Sequence, residues 1–184
     1  MTPVAATPSP PAIDALDAMP SAAAAAALAP LFEGARGFLG RLVAARPFGS
    51  WPALFSRART IALAMPEAEQ VELVDAHPPL GAPPGSVSAH SFREHGYDVA
   101  AADAAAEAER RRIDAELAVL NAVYERRFGF RYCVFVAGRP RAELLPGLRA
   151  ALADDRAAEL RRALADVVAI AEDRHRRLSE EVGS

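Results

Sequence analysis

Alanine supplies much of the apolar content of this 184-residue chain, and this feature restricts the fold more than any other. Apolar residues make up 52% of the sequence, whereas aromatic residues make up only 7%. Alanine has the highest helix propensity, while β-sheet cores require more β-branched and aromatic side chains. The sequence therefore predicts an all-α fold with helices packed through small side chains. The length is that of one domain with a substantial core.

Helical periodicity, interrupted by proline and glycine, predicts a single-domain bundle of about eight helices. Residues 1–12 contain four prolines and should form a disordered lead-in to a helical domain at 13–184. The apolar run 131–137 is compatible with a short strand or with extended chain. The expected helices cover about 21–32, 34–45, 51–64, 67–75, a short segment capped by Ser91, 98 or 103 to 127, 143–153 and 156–181.

The overall charge and the single cysteine narrow the functional classes. The net charge of -3 and the absence of a long basic face argue against a nucleic-acid partner. Cys133 rules out an internal disulfide, and its apolar surroundings predict a buried, inert thiol. The first cation is Arg36, so a signal-peptide start is not expected, and the apolar stretch from Ala22 is interrupted too soon to span a membrane. We expect a soluble cytoplasmic protein with no membrane partner.

The sequence Ala-His-Pro at 76–78 is the first candidate for chemistry. The residue before a proline is disfavoured in the α conformation, so the preceding helix must end near His77. An imidazole at a helix exit can project into a cleft, and it exchanges protons near neutral pH. A single histidine in a helical protein is nevertheless more often structural than catalytic.

The cluster from Ser91 to His95 is the second candidate. Ser91 and Glu94 have the spacing of a capping box, which would give Glu94 a purely structural role at the third position of a helix. Alternatively, Glu94 could approach His77, in which case its carboxylate would orient the imidazole and raise its pKa. The residues alone leave both interpretations open.

A metal site is a weaker interpretation of the same region. His77, His90, Glu94 and His95 are potential ligands, but inverted zincins need His-x-x-Glu-His, and here one additional residue separates His90 from Glu94. We therefore predict no metal and no other cofactor. Near the C-terminus, periodicity favours Arg174 as part of an exposed run of cations, although one of these arginines could instead point inward and bind a carboxylate.

Taken together, these residues resemble the 2-oxo-4-hydroxy-4-carboxy-5-ureidoimidazoline (OHCU) decarboxylases, which act between urate and allantoin. The similarity covers nearly all of residues 13–180. Its most specific parts are Ala-His-Pro and the later Asn-x-x-Tyr-x-x-Arg-Phe-Gly-Phe. The matching segments are Phe32-Glu33, Arg46-Pro47-Phe48, Ala76-His77-Pro78 with Leu80, Ser91-x-x-Glu94, Leu120-Asn121-x-x-Tyr124-x-x-Arg127-Phe128-Gly129-Phe130, and Ile170-x-x-x-Arg174.

The resemblance implies an all-helical homodimer that decarboxylates OHCU to (S)-allantoin without a cofactor. It assigns catalysis to His77 and Glu94. It also implies main-chain hydrogen bonds to the substrate from the segment around Cys133. The implied substrate-binding residues are Pro78, Ser91, His95, Val134 and Arg174.

The chain departs from the family pattern in three places near the expected site. His95 stands where the family usually has glutamine, Pro79 stands where it usually has aspartate, and the 78–90 loop is shorter. These departures concern the substrate more than the fold. A same-fold decarboxylase for another carboxylated heterocycle, and a non-catalytic helical binding protein, therefore remain alternatives, with a zinc hydrolase a distant third.

Overall fold

The computed structural model describes residues 9–82, 87–95 and 104–180. Within these ranges it is entirely helical, which confirms the predicted fold class. One short helix more than expected is present, because Ile13 begins a helix of its own. The nine helices are α1 Ile13–Ala18, α2 Ser21–Leu28, α3 Arg36–Ala44, α4 Trp51–Ala64, α5 Glu67–Asp75, α6 Ala89–Glu94, α7 Ala104–Phe128, α8 Arg141–Ala151 and α9 Arg156–Glu180. Most of the predicted 1–12 lead-in lies outside the described residues.

Helix α9 forms one side of the cavity described below. Helix α9 packs against α4 and α5, and it buries the predicted face formed by Leu160, Leu164, Val167, Val168 and Ala171. The spacing of three and four residues places these side chains on one stripe of the helix. The same stripe continues to Leu178, so any residue in register between Ala171 and Leu178 must also be buried.

The start of α6 differs from the predicted capping box. Ser88, not Ser91, is the N-cap, and its hydroxyl accepts a hydrogen bond from the Ser91 backbone N–H at 3.1 Å. Ser91 therefore lies in the first turn, and Glu94 is the last residue of the helix. The capping-box interpretation of Glu94 is wrong because Ser88, three residues before Ser91, is the N-cap instead. Its hydroxyl has the spacing from the Ser91 N–H that an N-cap requires.

The segment 131–136 runs beside α9 without regular secondary structure, so the extended alternative is confirmed and the strand is not. Arginine side chains hold it in place of a sheet ladder. The Arg131 guanidinium donates to the Asp75 carbonyl at 2.6 Å, which ties the segment to the end of α5. Farther along, Arg162 donates to the Cys133 carbonyl at 2.9 Å, and Arg139 donates to the Val136 carbonyl at 3.0 Å.

A buried carboxylate anchors the arginine that holds this segment. Glu159 is 1% exposed and accepts a hydrogen bond from the Tyr124 hydroxyl at 2.6 Å. Arg162 donates to the same carboxylate from Nη2 at 2.9 Å. Burial and the neighbouring Glu159 carboxylate raise the pKa of Tyr124, so this phenol stays protonated and serves as a donor.

No helix among the described residues is long and apolar enough to cross a membrane.

Replacing Glu159 with glutamine tests this anchor. Glu159→Gln keeps the shape but removes the charge opposite Arg162, so we expect the free energy of unfolding to fall by about 1–3 kcal/mol. Urea denaturation at neutral pH measures the change. Glu143→Gln, at an exposed position of α8, is the matched control and should have no measurable effect. Equal stability of the two variants would contradict the proposed anchoring.

Candidate active site

A small cavity of about 100 Å³ opens between the end of α5, helix α6, the segment 131–136 and the C-terminal half of α9. Every residue that the sequence put forward for the site lines this one cavity. They come from four different elements, so tertiary packing alone assembles them. They are His77, Pro78, Ser91, Glu94, His95, Val134 and Arg174.

His77 follows the last turn of α5 and is 3% exposed. Its backbone N–H donates to the Val74 carbonyl at 3.1 Å, and its ring Nδ1 lies 3.2 Å from the Leu73 carbonyl. A carbonyl oxygen can only accept, so the neutral ring carries its proton on Nδ1. The other nitrogen, Nε2, is a buried acceptor without a hydrogen-bond partner in the described part of the chain.

The electrostatics of His77 differ from the expectation. Burial, and secondly the positive charge of Arg174, lower the pKa of His77 to about 4, although the Glu33 and Glu94 carboxylates oppose this shift. Neither ring nitrogen bonds to Glu94; the Leu73 carbonyl orients the ring instead. The expectation of a raised pKa is wrong because burial, and secondly the charge of Arg174, outweigh the two carboxylates, which do act in the expected direction. His77 is therefore a neutral base at pH 7.

Arg174 is the electrostatic centre of the site. It is 1% exposed, which overturns its interpretation as part of an exposed run of cations. Its position three residues after Ala171 and four before Leu178 places it on the buried stripe of α9. Its Nε and Nη2 form a bidentate pair with Glu94, at 2.7 and 2.8 Å.

The remaining donors of Arg174 are also engaged. Nη2 donates to Glu33 at 2.8 Å, and Nη1 donates to the carbonyl groups of Pro30 and Leu31 at 3.1 and 3.4 Å. A guanidinium has five N–H groups, and these contacts occupy all of them. Arg174 therefore fixes the protein groups around the cavity and keeps no donor in reserve for a ligand.

Glu33 orients the serines of α6. One of its oxygens, Oε1, accepts from the hydroxyls of Ser88 and Ser91, each at 2.8 Å, as well as from Arg174. The residue adopts the left-handed conformation, with φ of 49°, in the turn between α2 and α3. Ser91 donates its proton to Glu33, and its oxygen already accepts from Arg174 Nη2 at 3.2 Å, so toward the cavity this hydroxyl can act only through its remaining acceptor position.

Both carboxylates of the site stay ionised. Burial alone would raise the pKa of Glu33 and of Glu94. The charge of Arg174 and hydrogen bonds, from Ser88 and Ser91 to Glu33 and from Arg174 to Glu94, outweigh burial and hold both pKa values below their usual range. Arg177 adds a second contact to Glu94, donating to Oε1 from Nη2 at 2.9 Å.

His95 and the segment around Cys133 complete the cavity wall. His95 caps the C-terminus of α6, and its backbone carbonyl accepts from Arg141 at 2.9 Å. Burial lowers the pKa of His95 to about 4, so this ring is also neutral at pH 7. Cys133 is buried as predicted, and burial raises its pKa to about 12, which keeps the thiol protonated. Its carbonyl is already bound by Arg162.

The potential metal ligands do not converge. His90 belongs to α6 rather than preceding it, and Glu94 lies one turn later, but both Glu94 oxygens bind arginine. Across the described ranges, no group of three or more histidine, cysteine or acidic side chains is arranged to hold a metal ion.

Sequence reasoning gave no site role to Glu33, Ser88, Asp173 or Arg177. Glu33 lies 58 residues before Ser91, so no periodicity connects the two, whereas Ser88 lies three residues before Ser91 and acts as the N-cap of the same helix. Asp173 and Arg177 flank Arg174 on α9 and line the same cavity. The sequence could have indicated both residues, because once Arg174 is placed on the buried stripe, the residues one before and three after it border the same opening.

The described residues define a helical protein whose cavity brings together a neutral imidazole, an ionised carboxylate and two guanidinium groups. The profile of the OHCU decarboxylase family matches residues 17–176, and the chain belongs to this family. The predicted resemblance is thereby confirmed.

One curated relative is similar to this chain in sequence. The uric acid degradation bifunctional protein of Bacillus sp. (strain TB-90) is 25% identical over 141 residues, which are 77% of this chain but only 27% of that protein. The chain therefore spans about a quarter of the length of this curated relative.

Two crystal structures share the fold. An OHCU decarboxylase crystallised in the presence of (S)-allantoin superposes with a TM-score of 0.60 at 23% identity, covering 79% of this chain and 92% of that one. An (S)-allantoin synthase gives a TM-score of 0.61 at 18% identity, covering 91% of this chain and 54% of that one.

The lowered pKa values predict how stability depends on pH. His77 and His95 are neutral in the folded protein down to about pH 4, because burial lowers the pKa of each ring, whereas in the unfolded chain they take up protons near the ordinary histidine pKa of 6.5. The free energy of unfolding should therefore fall as the pH drops from about 6.5 to 4. His77→Gln should make this fall shallower in denaturant titrations, and an unchanged slope would show that His77 is not buried in its neutral form.

Removing the central cation should be more damaging than any surface change. Arg174→Met leaves Glu33 and Glu94 buried without their main counter-charge, so we expect a loss of about 3–5 kcal/mol in the free energy of unfolding. Arg174→Lys keeps a charge but cannot form the bidentate pair, so its free energy of unfolding should lie between those of the wild type and Arg174→Met. Arg176→Met, at an exposed position of the same helix, is the control for urea denaturation. Similar losses in Arg176→Met and Arg174→Met would contradict the central role.

Proposed function

We propose that the protein decarboxylates OHCU to (S)-allantoin without a cofactor, with His77 as the proton-transfer residue. The observation that carries this proposal is the buried Nε2 acceptor of a neutral imidazole beside the cavity. Family membership and the relatives in urate degradation and allantoin synthesis support the choice of substrate.

The reaction needs a base that is neutral before chemistry begins. The carbon that loses CO2 also carries a hydroxyl group, and the electrons released pass into the conjugated ring to give an enol. Collapse of that enol to the product carbonyl requires removal of the hydroxyl proton and addition of a proton to the neighbouring ring carbon. His77 Nε2 can accept the first proton and return it to the carbon, while solvent supplies the one proton that the overall reaction consumes.

Substrate binding shifts His77 in the useful direction. A bound carboxylate favours the charged imidazolium and raises the pKa of His77 from its low value in the unliganded site. The fixed Glu33 and Glu94 charges act in the same sense. After CO2 has left, His77 takes the hydroxyl proton, and the resulting imidazolium stabilises the negative charge of the ring in the same cavity before it gives the proton to the carbon.

Glu94 and Ser91 are suited to hold the N–H groups of the substrate. A carboxylate offers about four acceptor positions, and Arg174 and Arg177 occupy three of those on Glu94. The remaining position and the acceptor oxygen of Ser91 are complementary to ureido or ring N–H donors. Arg174 acts through these residues as a positioning residue, which modifies the direct substrate contact that the resemblance implies.

His95 favours a second candidate, a decarboxylase of the same fold that acts on another carboxylated heterocycle. A neutral imidazole can offer one donor and one acceptor from opposite sides of its ring, whereas the amide of the usual glutamine offers both from one end. The two side chains therefore select different edges of a ligand. Activity of the wild type on OHCU decides between the candidates.

We further propose that the protein is a homodimer, as the family resemblance implies, and that it acts in the cytoplasm. Light scattering coupled to size-exclusion chromatography tests the assembly: a monomeric mass across the working concentration range would contradict it.

Freshly generated OHCU tests the activity directly. Urate is converted to OHCU in situ with uricase and hydroxyisourate hydrolase, and its loss is followed by absorbance while circular dichroism follows the chirality of allantoin. The wild type should accelerate the decay and accumulate the S enantiomer. His77→Ala should lower turnover by at least about 100-fold, the usual contribution of a positioned acid–base group.

A matched histidine variant separates chemistry from folding. His175 packs on Trp51, with ring centroids 3.9 Å apart, and is not a cavity residue. His175→Ala should keep turnover within about threefold once stability is corrected for. Full activity of folded His77→Ala would refute the role of His77. A folded wild type that leaves OHCU to decay spontaneously would refute the substrate assignment.

A further inference from the structure

His77 Nε2 and Arg177 Nε are buried polar atoms at the cavity wall that have no hydrogen-bond partner within the described part of the chain, and they differ in kind. His77 Nε2 is an acceptor, and Arg177 Nε is a cationic donor. Both residues line the same cavity. Buried polar atoms are normally paired, and an unpaired one costs about 1–3 kcal/mol. Together they match a ligand that brings a hydroxyl donor and a carboxylate acceptor close to each other.

We propose that Arg177 is the residue that binds the substrate carboxylate, next to a hydroxyl group that donates to His77 Nε2. The inferred ligand class is an α-hydroxy carboxylate, in which both groups sit on one carbon. This inference rests on the proposed function for its substrate, and it assigns to Arg177 the contact that the resemblance implies for Arg174.

The bonding of the two arginines separates their roles. All five N–H groups of Arg174 are engaged by Glu94, Glu33 and the carbonyls of residues 30 and 31. Arg177 forms both of its ion pairs through Nη2 alone, with Glu94 and Asp173, each at 2.9 Å. Its side chain is 35% exposed, so it lies at the rim, where an anionic ligand would arrive.

The same ion pairs suit a reaction in which a carboxylate becomes neutral CO2. An isolated arginine would stabilise the bound carboxylate more than the departing CO2 and would slow the reaction. Glu94 and Asp173 share the charge of Arg177, so its Nε–H can direct the carboxylate by a hydrogen bond while the local net charge stays low. Arg177 is therefore expected to contribute mainly to substrate affinity.

Arg177→Gln removes the cationic donor, and Arg176→Gln is the matched control one residue away. Arg176 also pairs with Asp173, but its side chain is 60% exposed and it is not a cavity residue. Arg177→Gln should raise KM for OHCU by about 10- to 100-fold with a smaller change in kcat, the size expected for a lost charge-assisted hydrogen bond. Inhibition by (S)-allantoin, which has no carboxylate, should change by less than about threefold. Arg177→Lys should recover part of the affinity.

Equal KM values for Arg177→Gln and Arg176→Gln would overturn the inference. A binding experiment keeps the inference separate from the proposed function. Ureidoglycolate carries a hydroxyl and a carboxylate on one carbon, and hydantoate lacks the hydroxyl. In calorimetric titrations, Arg177→Gln should weaken both ligands, whereas His77→Gln should weaken ureidoglycolate alone.

If the wild type does not turn over OHCU but binds ureidoglycolate through Arg177, the proposed substrate is wrong and the inference stands. If it turns over OHCU and Arg177→Gln does not change KM, the inference fails and the function stands. A folded wild type that neither turns over OHCU nor binds ureidoglycolate overturns both.

Discussion

The site depends on a single guanidinium buried among helices. Through one planar group, Arg174 joins the turn after α2, at Pro30 and Glu33, to Glu94, the last residue of α6. A buried cation is tolerated only when its hydrogen bonds are complete, and here two carboxylates and two carbonyls satisfy it. The geometry of the cation thus determines where Glu94, Glu33 and Ser91 must lie. Burial keeps His77 neutral and the charge of Arg174 adds to this effect, so the same residue influences both the shape and the protonation of the cavity.

In this arrangement, some side chains orient their neighbours and others present their polar groups to the cavity. Glu33 and Arg174 fix the direction of each proton through their bonds to other protein groups: Ser91 gives its proton to Glu33, and Glu94 stays ionised. His77, Glu94 and Arg177 then present an acceptor, an anion and a cation to the cavity. Because charge-assisted bonds hold Glu33 and Arg174 in place, the side chains that face the cavity are ordered before a ligand arrives, which is what acid–base catalysis requires.

Local sequence rules were sufficient for the helices and for the exit at His77. Alanine content and apolar periodicity predicted α9 and its buried face, and Pro78 required α5 to end where it does. The family resemblance carried the order of the site residues. Local rules could not rank the two serines as caps of α6, since Ser88 and Ser91 have equal propensity and both hydroxyls donate to Glu33 at the same distance. Nor could they foresee the low pKa of His77, because it results from burial and from an arginine distant in sequence.

The irregular wall at 131–136 has a consequence for how such a cavity can change over evolutionary time. The side chains of Arg162 and Arg139 bind its carbonyl groups at Cys133, Phe135 and Val136, and the Arg139 backbone N–H adds one further bond to Val136. The ties act on main-chain atoms that every amino acid possesses, so side chains along the wall can be exchanged without releasing it. A lineage can therefore reshape one side of the cavity around a new heterocycle while the proton-transfer side, built from α5, α6 and α9, stays unaltered.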